Sequence, residues 1–357
     1  MVRKIGDKRN YIILAIIIIL IIFIAINLNS KVNEQIKSFN YFSEDITIKI
    51  YSNKNMNSTF KEIDSIYKKY QKYYQNPSQN TDKDLLKLLE YGKNAYEETG
   101  GLIDITAGEL ITSIEDDKTY NFHTTINSLD LNKKETLKNI NIDSLIGAYA
   151  TNIVKEYLDE NKIKKYIINE DGNIIAGDHY NDDKYKVSIT DTDGNLVKIV
   201  YLNGESMATK GNTSKFKPYM VNPLTSSKNK ENNLISVIGK DINEANKVAN
   251  ALYLMSIDDG KEFAKKYDVE VLWHTNDGKT YTTDGFKRYT KTTWQSIYSV
   301  KNLCKEKVIY KRFKKSLKTT FSCDKLYIVS QKGSINLEWL LWIFYLKLLI
   351  KILSLSV

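Results

Sequence analysis

Cysteine, proline and histidine are scarce in this 357-residue sequence: 2, 3 and 3 residues respectively. Both cysteines, Cys304 and Cys323, lie near the C-terminus, so residues 1–286 can form neither a disulfide framework nor a thiol site. No C-x-x-C is present, which excludes the usual zinc and redox signatures. His123, His179 and His274 are scattered, none with a ligand-spaced neighbour, and read as surface or structural residues. No P-loop, nucleophile elbow or H-E-x-x-H occurs. Negative charge is not lacking, although the net charge of +9 suggests it. Residues 1–10 carry +3 and residues 287–357 carry +12, which leaves −6 for residues 11–286. A mildly acidic body argues against a nucleic-acid partner.

What is present is a well-supplied core: 42% hydrophobic residues, with 25 Tyr and 11 Phe. Disorder is not expected of such a composition. Residues 11–28 are uncharged, mostly Ile, and about long enough to cross a hydrocarbon core. Arg3, Lys4, Lys8 and Arg9 precede them against Asp7. The positive-inside rule therefore predicts a cytoplasmic segment over 1–10, a transmembrane signal-anchor over 11–28 and an extracytoplasmic body. A cleaved signal peptide is the alternative, but no small-x-small site follows the run. Residues 29–44 are polar and read as a stalk.

Asp45–Tyr51 alternates as a half-buried strand. Asn57–Tyr74 has helical spacing, and Thr81–Thr99 predicts a second helix capped by Thr81, with Leu85, Leu88, Leu89 and Gly92 inward. Further helices are expected over 148–161, 243–256 and 262–267. Strands are expected over 165–168 and 234–238. Hairpins are expected around Asp193-Gly194-Asn195 and Asn276-Asp277-Gly278. Strands and helices mix without βαβ alternation, so the expected class is α+β.

Six segments follow in order between Gly100 and Phe286. They are Gly-Gly-Leu-Ile-Asp-Ile-Thr (100–106), Ile-Asn-Ile-Asp-Ser-Leu-Ile-Gly-Ala-Tyr-Ala-Thr-Asn (140–152) and Ile-Asn-Glu-Asp-Gly-Asn-Ile (168–174). Then come Ala-Thr-Lys-Gly-Asn (208–212), Tyr-Met-Val-Asn-Pro-Leu-Thr-Ser (219–226) and Ala-Asn-Lys-Val-Ala-Asn-Ala (245–251). Together they resemble the FAD:protein FMN transferase (ApbE) family, over roughly residues 45–286. The resemblance implies an ApbE-like mixed sheet-and-helix domain behind the transmembrane helix. It also implies Mg2+-dependent transfer of FMN from FAD to a Ser or Thr of a flavin-accepting membrane redox protein.

By the same resemblance, Asp104, Thr106, Tyr149, Asn169, Gly172, Thr209, Lys210 and Gly211 are the expected cofactor-binding residues. Tyr219 stands at the family's catalytic His, and Asn246 and Asn250 stand at the Asp and Thr that hold the metal. The departures concern charge. Gly147 replaces a Lys, Glu170 and Asp171 replace Ala and Gly, Lys210 replaces Ser, and Asn222 replaces Asp. A phenol, with a reference pKa of about 10, is a poor base near neutral pH. An Asn offers Mg2+ a neutral oxygen where a carboxylate is preferred. The alternative reading is a non-catalytic flavin-binding or partner-binding scaffold of the same fold.

The resemblance ends near Phe286. Residues 287–357 form a basic tail with an apolar C-terminal stretch. Lys347 and Lys351 share one helical face there, which suits an interfacial helix. A non-homologous extension without evolved function is the other reading.

Overall fold

The structure is a computed structural model. It describes residues 32–290 together with Ile18, apart from 80–81, 109, 111–125, 127–128, 131–132, 134–136, 138–139, 182, 212–220 and 229–231. The expected signal-anchor (except Ile18), the Thr81 cap, Tyr219 and the tail beyond 290 lie outside the described residues. Among those that are described, no helix is long and apolar enough to cross a membrane.

The frame is an eight-stranded sheet in which every neighbouring pair is antiparallel. Its strands, in spatial order, are β1 (Glu34–Tyr41), β2 (Glu44–Tyr51), β3 (Tyr166–Glu170), β4 (Asn173–Ala176), β7 (Ser206–Gly211), β10 (Asn232–Gly239), β11 (Glu270–Thr275) and β12 (Thr280–Thr282). A separate hairpin pairs β5 (Tyr185–Thr190) with β6 (Leu196–Leu202), and β8 (Val221–Asn222) pairs with β9 (Ser227–Lys228). The helices are α1 (Asn57–Gln75), α2 (Lys83–Glu98), α3 (Asp143–Glu160), α4 (Ile242–Tyr253) and α5 (Ile257–Ala264).

The sheet has two apolar faces, and each is covered. Ile46, Ile48, Ile50, Ile168, Ile235 and Val237 face a core shared with Ile63, Leu88, Leu145, Val154 and Val248 of the helices. Ile174, Met207, Leu234, Ile238 and Leu272 face the other way, against Val187, Val200, Leu202 and Phe286. Strands alternate their side chains, so β10 contributes to both cores. That is why Leu234, Ile235, Val237 and Ile238 are all apolar, with Ser236 alone polar among them. The class is α+β, as expected.

The polar segment 29–44 was expected as a stalk, but it contains β1. This strand pairs along its whole length with β2 through a two-residue turn at Phe42 and Ser43. Both turn residues have positive φ, 57° and 65°, a conformation for which sequence reading looks to Asn-Gly. Here tertiary packing imposes it. The Phe42 ring is buried against Tyr67 and Tyr74, and its N–H donates to Gln71 Oε1 at 2.7 Å.

Three further expectations shift. Asp82 caps α2, its carboxylate accepting from the N–H groups of Asp84 and Leu85. α3 begins at Asp143, five residues earlier than expected, with Asn141 Oδ1 accepting from Asp143 N. The last helix runs over Ile257–Ala264 because Ser256 accepts from Asp259 N and sets its start.

Candidate functional site

The segment after α2 turns through Gly100 and Gly101, both at positive φ. Asp104 Oδ1 then accepts from Thr106 N at 2.8 Å and from Thr106 Oγ1 at 2.6 Å, closing an Asx turn. Ile103 and Ile105 are buried beside it. Asn141 N donates to Ile105 O, which ties this turn to the start of α3. A second loop meets it: Leu224 Cδ2 lies 3.0 Å from where a Cβ on Gly101 would stand. Asn222 serves this second loop, its side chain accepting from Leu224 N and its carbonyl from Ser226 N.

A hairpin turn at Asp171 (φ 35°) and Gly172 (φ 103°) joins β3 to β4. Its carbonyl at Gly172 accepts from Thr209 N at 2.9 Å, so this turn and Thr209–Gly211 lie side by side at one end of the sheet. The sheet nevertheless divides the expected residues. Thr209 faces Ser236, with the two hydroxyls 2.9 Å apart, on the side covered by the β5–β6 hairpin. Asn169 is exposed. Lys210 alternates to the helix side, where its charge acts on Glu170. Tyr149 is a packing residue, its ring 5.8 Å from that of Tyr70 and 5.6 Å from that of Tyr91.

Glu170 is the residue whose importance the sequence concealed. It ends β3 facing the helices and is fully buried. Asn173 Nδ2 donates to its Oε2 at 2.7 Å, while its Oε1 finds no partner among the described residues. That oxygen stands 1.9 Å from where a Cβ on Gly147 would lie. The missing side chain at 147 is therefore the space that Glu170 fills. Burial pushes the Glu170 carboxyl well above its ordinary value, and the neighbouring Glu44 carboxyl pushes it the same way. Asn173 and Lys210 oppose them. A group so placed holds a proton where an ordinary Glu does not.

One turn earlier on α3 lies the second cluster. Asn246 and Asn250, four apart on α4, share one helical face. Their Nδ2 groups donate to the same acceptor, the Ser144 carbonyl oxygen, at 2.8 and 2.9 Å. Both residues are buried, and both Oδ1 atoms lack a partner among the described residues. α4 is also held at Asn243, whose carbonyl accepts from the Tyr91 hydroxyl at 2.8 Å. Lys247 anchors it further by an ion pair with Glu98.

Mg2+ does not fit these residues as they stand. The Asn246–Asn250 cluster has no carboxylate of its own, and Lys247, next to Asn246 on α4, is cationic. The carbonyl best placed to share a cation already receives two N–H donors. No group of three or more His, Cys, Asp or Glu residues able to hold a metal occurs among the described residues. A cavity of about 320 Å³ opens at the opposite end of β7, near Lys240, Asp268 and Arg288. None of the expected site residues lines it.

The fold and these turns define an α+β protein in which helices cover one face of an antiparallel sheet and loops converge at one end of its central strands. The ApbE family model matches residues 42–273, more than half of the chain. The chain belongs to the ApbE family. Solved structures give the same fold. The flavin transferase ApbE from Vibrio cholerae matches with a TM-score of 0.61 at 18% identity, over 72% of this chain and 99% of that one. The ApbE protein from Thermotoga maritima matches with a TM-score of 0.62 at 14% identity, over 72% and 100%. The apo flavinyl transferase ApbE from Pseudomonas stutzeri matches with a TM-score of 0.59 at 14% identity, over 72% and 97%. No curated protein matches the sequence.

Proposed function

We propose that this chain is a membrane-anchored flavin transferase that takes FAD and passes FMN to a Ser or Thr of a flavin-accepting redox protein at the membrane. The observation that carries this reading is the family match across residues 42–273. It spans the Asp104–Thr106 and Asp171–Gly172 turns and the Thr209–Gly211 end of β7. The anchor is residues 11–28, with 1–10 cytoplasmic and the body extracytoplasmic.

In the reaction, the pyrophosphate P–O–P bond of FAD breaks. The acceptor hydroxyl oxygen bonds to the FMN phosphorus and gives up its proton, and AMP leaves. Backbone N–H groups at the Gly-containing turns serve as anion donors. Lys210 supplies a cation on the helix side of the sheet, beside Glu170. No step is assigned to Mg2+, because the residues at the family's metal position do not fit it.

A specific observation favours a second reading. The donors at Asn246 and Asn250 close on Ser144 O where the family holds a metal. In that reading the chain binds flavin and presents it to its partner without transferring it.

The test is to incubate the full-length chain with FAD and a Ser/Thr-containing acceptor protein, and to look by mass spectrometry for an FMN increment on the acceptor. An increment supports transfer. FAD binding without an increment overturns transfer and leaves the scaffold. No FAD binding overturns both.

A further inference from the structure

We infer that the Ser144–Asn246–Asn250 cluster is a hydrogen-bonded clamp between α3 and α4 that has replaced a cation site, so that this chain takes up no Mg2+ there. The orientation of the two amides is set by chemistry. Ser144 O can only accept, so each amide must turn its Nδ2 toward it, at 2.8 and 2.9 Å. A bound cation would demand the reverse: both Oδ1 atoms and the carbonyl converging on it. The two arrangements exclude each other. Turning to a cation would forfeit both amide donors and gather three neutral oxygens around a hard dication that prefers carboxylate.

The clamp has a structural consequence that a metal site would share by other means. The Ser144 carbonyl already lies in the first turn of α3, where Asp143–Glu160 begins. Its two added donors come from residues 102 and 106 positions away in sequence. They fix the distance between α3 and α4 without any ion. The orphaned Oδ1 atoms are the cost of this solution: each buried oxygen forgoes a partner so that its nitrogen can hold the carbonyl.

The inference does not depend on flavin binding, and its test uses none. Thermal unfolding of the full-length chain is measured in millimolar MgCl2 and in NaCl of equal ionic strength. The wild-type melting temperature is expected to be the same in both. Asn246→Ala combined with Asn250→Ala is expected to melt lower by more than about 3 °C, because Ser144 O loses both donors, and to remain indifferent to Mg2+. Asn246→Asp sets a carboxylate beside that carbonyl. It is expected to melt lower than wild type in NaCl and to recover in MgCl2. Stabilisation of the wild type by MgCl2, abolished in the double alanine variant, would overturn the inference. So would a double alanine variant that melts with the wild type. Should Asn246→Asp not fold, the wild-type and double-alanine measurements still decide.

Discussion

Gly147 and Glu170 are expected to be energetically coupled, and the structure allows the coupling to be estimated. A Cβ at 147 would stand 1.9 Å from Glu170 Oε1 and 2.8 Å from its Cδ. Neither distance is tolerable, so in Gly147→Ala the buried carboxyl must move. Overpacking of this kind costs about 2 kcal/mol. Moving the carboxyl also breaks the bond from Asn173 Nδ2 to Oε2, worth about 1 kcal/mol. Against this, Ala is better than Gly inside a helix by about 1 kcal/mol, and Gly147 is inside α3. Gly147→Ala alone should therefore destabilise by about 2 kcal/mol. In a Glu170→Ala background the obstruction is gone, and the same substitution should stabilise by about 1 kcal/mol. The difference is a coupling of about 3 kcal/mol. Urea unfolding of the four proteins in the cycle, followed by far-UV circular dichroism, measures it. Additivity to within about 0.5 kcal/mol would refute the exchange of space between these two positions.

Other outcomes follow from the same features. Glu170 ordinarily titrates near 4.5 and is raised in the folded state. The folded chain thus holds an extra proton above that pH. Stability from this group is full below about pH 4.5 and is lost as pH rises through the folded value. The urea midpoint of Glu170→Gln should lack this decline, and an unchanged profile would exclude Glu170 as its source. Tyr67 hydroxyl and Thr151 Oγ1 lie 3.1 Å apart, both residues fully buried. Thr151→Val should cost about 1–3 kcal/mol and Thr151→Ser much less, as judged by denaturant titration. Gly172 has φ 103°, so Gly172→Ala should lower stability by about 1–3 kcal/mol. A substitution without effect on the melting temperature would show that the turn can relax.

Where backbone pattern decides structure, the sequence was readable. Alternation in 45–51 and helical spacing in 57–74 recover β2 and α1 almost to the residue. Both hairpins with Asp-Gly turns are in place. The hairpin at Phe42–Ser43 was not legible, because its left-handed turn is imposed by burial of the Phe42 ring rather than by a permissive residue. The ordered segments also carried the family, since glycines, prolines and buried apolar positions mark turns and core wherever side chains near the ligand change.

The chemistry at those segments was less legible. Glu170 reads in sequence as one of two acidic residues in a turn. Only the packing of β3 under α3 shows it buried, its carboxyl pushed well above the ordinary value, and filling the space above Gly147. Asn246 and Asn250 read as weak metal ligands. Only the approach of α4 to the first turn of α3 shows both amides spent on one carbonyl.

The sequence by itself therefore determined the α+β class, most of the elements and the family, because periodicity and turn residues act locally. The state of the site was decided by tertiary structure, because the partners of Gly147, Asn246 and Asn250 are far away along the chain. What a buried polar group does depends on which atom it meets.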